Sequence, residues 1–172
     1  ANRPDKYIAI SKTVQERIQK YYGQKSDLIY PPVNLVPRTQ SLVPGNYFLI
    51  VSRLVPNKKI DVAVRAFNKL GLPLKIVGTG RQENELKKIA KTNIDFLGHL
   101  TQEELNRYYE SCLAVVIPAE EDFGIVSVEA QNFGKPVIAF GRGGATETVV
   151  EGKTGWFFDN NLEKTISGVE LN

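Results

Sequence analysis

The chain has 172 residues, 42% apolar and 24% charged, and its Lys, Arg, Asp and Glu are intermixed to a net charge of +3. This is the balance of one soluble globular domain, long enough to bury a core without disulfides. The single cysteine, Cys112, excludes an internal disulfide framework, the single histidine, His99, excludes a multi-histidine metal site, and the lack of like-charge blocks argues against nucleic acid as a partner.

No apolar run approaches the roughly 20 residues that a membrane-spanning helix needs, and no signal peptide opens the chain. A cytoplasmic location is expected, with peripheral contact at the inner face of the cell membrane left open for a full-length protein. The chain lacks methionine and begins in the middle of a strand and helix pattern, so it reads as a domain of a longer protein.

Tyr7 to Ile10 reads as a short strand, after which Ser11 can cap a helix with Val14, Ile18, Tyr21 and Tyr22 at helical spacing, ending at Gly23. The Pro-rich stretch from Tyr30 to Asn46 has turn chemistry and little periodicity, as an extended linker would. Tyr47 to Val51 is the first strong strand. The loop Ser52 to Lys59 follows, and then a helix with Ile60, Ala63, Val64, Phe67 and Leu70 on one face and Gly71 as its stop. Open α/β sheets bind ligands at the carboxyl ends of their strands, which places Arg53 and Lys58 to meet an anion. On their own, the two cations read equally as solvent-facing charges.

Leu74 to Val77 is the next strand and runs into Gly78-Thr79-Gly80. A dinucleotide fingerprint would need a third glycine, where Glu83 stands, so a tight turn at a nucleotide-sugar site fits better. A strand at Ile94 to Leu97 leads to Gly98-His99-Leu100. Thr101 and Glu104 then form a capping box for a helix carrying Leu105, Tyr108, Tyr109 and Cys112. Cys112 is expected in the core rather than as a nucleophile.

Leu113 to Ile117 is a continuous apolar run, a strand buried on both faces, and Pro118 ends it. Glu120-Glu121-Asp122 follows, then Gly124 and a helix from about Ile125 to Phe133, closed by Gly134 and Pro136. The unpaired amides and the dipole of that helix start offer a seat for phosphate. Glu121 falls in the loop and Glu129 one turn into the helix; in an unbroken helix they would lie about 80° apart, but the loop lets them converge on one ligand. As an isolated pair they read more simply as solvated charges. Val137 to Phe140 is a further strand, followed by Gly141-Arg142-Gly143-Gly144. Glu147 is expected to cap or pair locally, Trp156 to Phe158 is a last buried strand, and Leu162 to Leu171 a last helix.

Glu121-Asp122-Phe123-Gly124-Ile125-Val126-Ser127-Val128-Glu129 resembles the Glu-x7-Glu signature of the retaining GT-B glycosyltransferases of family 4, and the motifs from Tyr7 to Phe158 fall in that family's order. The resemblance implies a Rossmann-like α/β/α parallel sheet, the C-terminal half of a GT-B fold. Residues 1–172 would form the nucleotide-sugar (donor) domain, with 1–46 holding the crossover and linker and the N-terminal acceptor domain absent. It implies that Arg53 and Lys58 hold the diphosphate, that Glu121 contacts the transferred sugar and that Glu129 holds the ribose. Gly78, the backbone of His99 and Leu100, and the segment Phe123, Gly124, Ile125 and Val126 complete the expected donor site. No metal and no cofactor are implied.

Ser52 and Lys59 depart from the family, which has glycine at both positions. The wording around Glu121 and from Ala139 to Val149 is similar to GDP-mannose-dependent mannosyltransferases of polysaccharide assembly, which implies a glycan or lipid-linked acceptor. UDP-sugar transfer and a non-catalytic nucleotide-sugar module remain as alternatives. A GT-B-like epimerase fits the two-glutamate spacing less well, and a nicotinamide-dependent oxidoreductase lacks its third glycine.

Overall fold

Near the start of the chain, β1 (Ile8–Ala9) and β2 (Asp27–Leu28) pair in parallel on either side of the helix α1 (Lys12–Tyr22). The computed structural model describes residues 4–33 and 45–169. Ser11 caps α1 by accepting the Val14 amide, and Gly23 closes it, as the sequence implied. The apolar face is narrower than its spacing suggested. Only Ile18 is buried, while Tyr21 and Tyr22 stand 71% and 64% exposed, because the two-stranded sheet beneath offers little surface to pack on. Most of the expected linker, residues 34–44, lies outside the described residues.

The main sheet contains β3 (Phe48–Val51), β4 (Leu74–Val77), β5 (Ile94–Gly98), β6 (Ala114–Ile117), β7 (Val137–Phe140) and β8 (Gly155–Phe158). All neighbours are parallel, in the order β5-β4-β3-β6-β7-β8. The connecting helices are α2 (Ile60–Leu70), α3 (Glu83–Ile89), α4 (Gln102–Ser111), α5 (Ile125–Asn132) and α6 (Ala145–Thr148), and α7 (Leu162–Gly168) follows β8. The expected helix to Leu171 is shorter, and residues 170–172 lie outside the described residues.

Strand alternation divides the apolar residues between two cores. Phe48, Ile50, Ala114, Val116 and Ile138 pack with Phe67 of α2, Leu86 of α3 and Ile166 of α7. Leu49, Val115, Ile117, Val137 and Ala139 pack on the other face with Tyr109 of α4, Ala130 of α5 and Ala145 of α6. Strands buried on both faces explain why the runs were continuously apolar. The result is the three-layer Rossmann-like sandwich expected from the sequence.

The strand order reverses between β3 and β6, so their following connections diverge in opposite directions. This opens a crevice at the carboxyl ends of the two strands, the place where such sheets take ligands.

Candidate functional site

Two loops wall the crevice. After β3 the chain passes through Ser52 and Arg53 and a 3-10 turn, Pro56–Lys58, into α2. Lys59 joins the turn to the helix at φ 52°, the left-handed region, and is the one non-glycine residue so placed among the described residues. That conformation explains why glycine would suit this position, and a lysine there bears roughly 1–2 kcal/mol of strain.

After β6 the chain passes Pro118 and the three acids before entering α5 at Gly124, which sits at φ 87° and supplies no side-chain cap. The amides of the first turn therefore keep the character of an anion seat. A cavity of about 310 Å³ lies between the loops, lined among others by Arg53, Lys58, Glu121, Phe123, Gly124, Ile125 and Val126. Lys58 Nζ reaches both carboxylate oxygens of Glu121, at 2.8 and 2.6 Å. Their side chains are only 19% and 21% exposed. Arg53 is exposed at the rim.

The loop that carries Glu121 is tied down on three sides. Arg17 of α1 bonds Glu120 and Asp122, each at 2.5 Å. Because adjacent residues point to opposite sides of an extended chain, the Glu121 side chain between them turns inward to Lys58. The Ser11 hydroxyl donates to the Asp122 carbonyl. From the loop after β7, the Gly144 amide donates to the Glu121 carbonyl at 2.6 Å. A Cβ on Gly143 would stand 2.5 Å from that same carbonyl oxygen, and one on Gly144 would stand 2.3 Å from Phe123 Cα. The glycine pair permits this close backbone approach between the loops after β6 and β7.

Glu129 lies one turn into α5. It lines a second cavity of about 400 Å³ with Pro32, Val33, Gln102, Asn106, Asn132 and Phe133. The two glutamates thus face neighbouring cavities, and Ile125 borders both. Across α4 and α5 the hydroxyl of Tyr109 donates to Glu129 Oε2 at 2.8 Å.

Gly78, His99 and Leu100 line neither cavity. A Cβ on Gly78 would stand 2.0 Å from the Ser52 carbonyl oxygen, and one on Gly80 would stand 2.3 Å from that of Leu54. The two glycines let the loops after β3 and β4 meet backbone to backbone. The Leu54 amide donates to the Thr79 carbonyl and the Gln82 amide to the Leu54 carbonyl. His99 is exposed and Leu100 packs against the core on the α4 side.

Glu147 is structural, as expected, but its partners are distant. It accepts the amides of Lys12 and Thr13 at 2.8 and 3.0 Å and the Tyr30 hydroxyl at 3.1 Å. Burial pushes its carboxyl up, but those amides and hydroxyls outweigh the burial and hold it below the usual carboxylate range. Cys112 caps the end of α4 instead of lying on its face; burial pushes its thiol up to about 12, so it is unreactive near neutrality. Among the described residues no group of three or more His, Cys, Asp or Glu side chains could hold a metal ion, and no helix is long and apolar enough to cross a membrane.

Residues 37–169 match the family model of glycosyl transferases group 1. The chain belongs to this glycosyltransferase family. It is 30% identical over 162 residues to an uncharacterized glycosyltransferase of Methanocaldococcus jannaschii, covering 91% of this chain and 46% of the relative. A GDP-mannose-dependent monoacylated alpha-(1-6)-phosphatidylinositol monomannoside mannosyltransferase of Corynebacterium glutamicum is 37% identical over 114 residues, 57% of this chain and 30% of its own. Among solved structures, HepE of Anabaena in complex with UDP-glucose superposes with a TM-score of 0.80 at 25% identity, covering 93% of this chain and 51% of that one. This group 1 chain therefore spans about half the length, or less, of the relatives it matches.

Tyr109, Arg17 and Ser11 are the site residues that sequence reasoning missed. A buried tyrosine needs a partner for its hydroxyl, so Tyr109 carried a signal. Nothing local pointed from Arg17 to acids more than 100 residues away.

Proposed function

We propose that this chain is the donor-binding half of a retaining glycosyltransferase that takes a nucleotide-diphosphate sugar, with GDP-mannose as the preferred donor. The observation that carries the reading is the meeting of Lys58 and Glu121, one from each loop of the switch point, in a cavity at the start of α5. A diphosphate would lie over the first turn of α5 between Arg53 and Lys58. The sugar would sit against Glu121, and the nucleoside would cross Ile125 toward Glu129, with the loop at His99 and Leu100 at the base.

In such a transfer the bond from the anomeric carbon to the β-phosphate oxygen breaks, and the acceptor oxygen bonds the same carbon on the same face. The acceptor proton passes to the departing phosphate. Negative charge grows on that phosphate, where Arg53, Lys58 and the amides of α5 act as fixed positive groups; losing one donor of this kind typically costs about 10²–10³ in rate. Glu121 positions the sugar and forms no bond to it.

GDP-mannose is favoured by the donor for which the Corynebacterium relative is named. UDP-glucose in HepE supports a UDP-sugar as the second reading. A glycan or lipid-linked acceptor would be held by a separate domain. In support, the β1-β2 pair is a parallel sheet of two strands with Ile8 of β1 and Ile29, just after β2, 60% and 57% exposed, whereas parallel sheets are normally covered. By itself the chain would bind donor without turnover.

Calorimetric titration with GDP, UDP, ADP and NAD tests this, alongside Arg53→Ala and Glu129→Ala. Selective binding of one diphosphate, weakened by both substitutions, supports the reading and names the base. Binding of NAD alone, or indifference to both substitutions, overturns it.

A further inference from the structure

Tyr109 is a core residue by every local measure. Its side chain is fully buried, and its ring stacks on Phe133 of the neighbouring segment with centroids 5.4 Å apart and planes 9° from parallel. That packing leaves the phenol oxygen one place to be. It ends at Glu129, on the wall of the second cavity, and donates to Oε2 at 2.8 Å.

We infer that Tyr109 is a positioning residue for the nucleotide: its hydroxyl fixes the Glu129 carboxylate so that the site selects a ribose diol over a sugar without one. The inference rests on the reading in which Glu129 meets the donor's ribose.

Three observations support it. Oε1 of Glu129 takes no hydrogen bond from the described residues, so one oxygen is held and the other is presented. A carboxylate oxygen has two lone-pair sites, so even Oε2 can accept a second bond beside the phenol. Burial and the charge of Glu129 both raise the phenol's pKa, so it stays a protonated donor near neutrality. A side chain with three rotatable bonds is thereby held before its ligand arrives, which removes an ordering cost from binding.

Recognition of a diol differs from a merely structural role in what it leaves unchanged. The test is calorimetry with GDP and UDP and with their 2′,3′-dideoxy counterparts, on the wild-type chain, Tyr109→Phe, Glu129→Gln and the double variant. Tyr109→Phe keeps the ring and its stacking. It is expected to weaken the ribonucleotide by ~10- to 100-fold and the dideoxy compound by less than about 2-fold, the range for a hydrogen bond to a charged group. Glu129→Gln should show the same selectivity without altering the core, and Tyr109→Phe should add nothing further in its background.

Equal losses for both nucleotides, or losses that add in the double variant, would overturn the inference while leaving the donor site standing. Should Tyr109→Phe fail to fold, an unselective Glu129→Gln would overturn it alone. If the wild-type chain binds none of the four nucleotides, the donor-site reading falls and this inference falls with it.

Discussion

The Lys58 ammonium stands 2.8 and 2.6 Å from the two carboxylate oxygens of Glu121, joining loops that leave the sheet on opposite sides of its switch point. Each is the other's counter-ion, so a diphosphate drawn to Lys58 competes with Glu121. Removing the acid's charge frees the cation. Glu121→Gln is therefore expected to tighten GDP or UDP by ~3- to 10-fold at low salt, with the gain shrinking as salt is added. The corresponding nucleotide sugar should gain less, because it would lose the contact proposed for Glu121. Lys58→Ala should weaken all of them. Weaker nucleoside diphosphate binding by Glu121→Gln would show that Lys58 does not meet the phosphates.

Arg17 holds Glu120 and Asp122 from a helix that belongs to neither loop of the cavity. The side chains are 39%, 43% and 63% exposed, so the pairs are worth about 1 kcal/mol or less in stability. Their effect is expected in the site instead. Arg17→Ala should leave the urea midpoint nearly unchanged yet weaken nucleotide-sugar binding more than nucleoside diphosphate binding, since it loosens the loop that presents Glu121. Arg17→Lys, which cannot span both acids in one fork, should restore only some of this. Equal effects on both ligands would limit Arg17 to the surface.

Glu147 links the N-terminal segment to α6 and titrates low in the folded chain. A carboxyl with a depressed folded pKa stabilises above its unfolded value, about 4.3, and that contribution fades as pH falls through the folded value. Glu147→Gln should cost about 1 kcal/mol at pH 7, the usual worth of a helix-capping bond, and the difference in Tm should close as pH drops below about 4. Thermal unfolding from pH 7 to 3 checks this. A gap that stays constant across that range would mean that the charge is not what holds α1.

Much of the fold was legible because its strands are buried on both faces and its helices carry their own punctuation. Ser11, Gly71, Thr101 with Glu104, and Gly134 mark helix ends through local chemistry, and each does so in the structure. Arg53, Lys58 and Glu121 were placed on loops at strand ends, and the structure brings all three to one cavity. Strand order could not be read from local pattern, nor could β2, which is two residues long. Nor could the bond from Tyr109 to Glu129, or the service of Glu147 to α1 rather than to its own turn. Those contacts are set by tertiary packing, which leaves no periodic trace.

The glycines after β4 give the sharpest separation between two readings of a Gly-x-Gly turn. If they existed for phosphate, an added methyl would chiefly harm binding. Instead, a Cβ on Gly80 would lie 2.3, 2.7 and 2.8 Å from the carbonyl oxygen, carbonyl carbon and amide nitrogen of Leu54, all backbone atoms that cannot swing aside. Gly71, at the end of α2, is the control, with φ 69° and nothing within 4 Å of an added Cβ. Gly71→Ala should cost about 1 kcal/mol, the conformational term alone. Gly80→Ala must also push the loops after β3 and β4 apart and should cost about 3 kcal/mol or more, above the usual range for one overpacked methyl. Since Arg53 precedes Leu54, that displacement should also weaken nucleotide binding, whereas Gly71→Ala should not. Urea unfolding and the calorimetric Kd, measured on both variants, check the stability and the binding claims in turn. Similar stability for the two would mean that the loop after β4 is free to move away from Leu54.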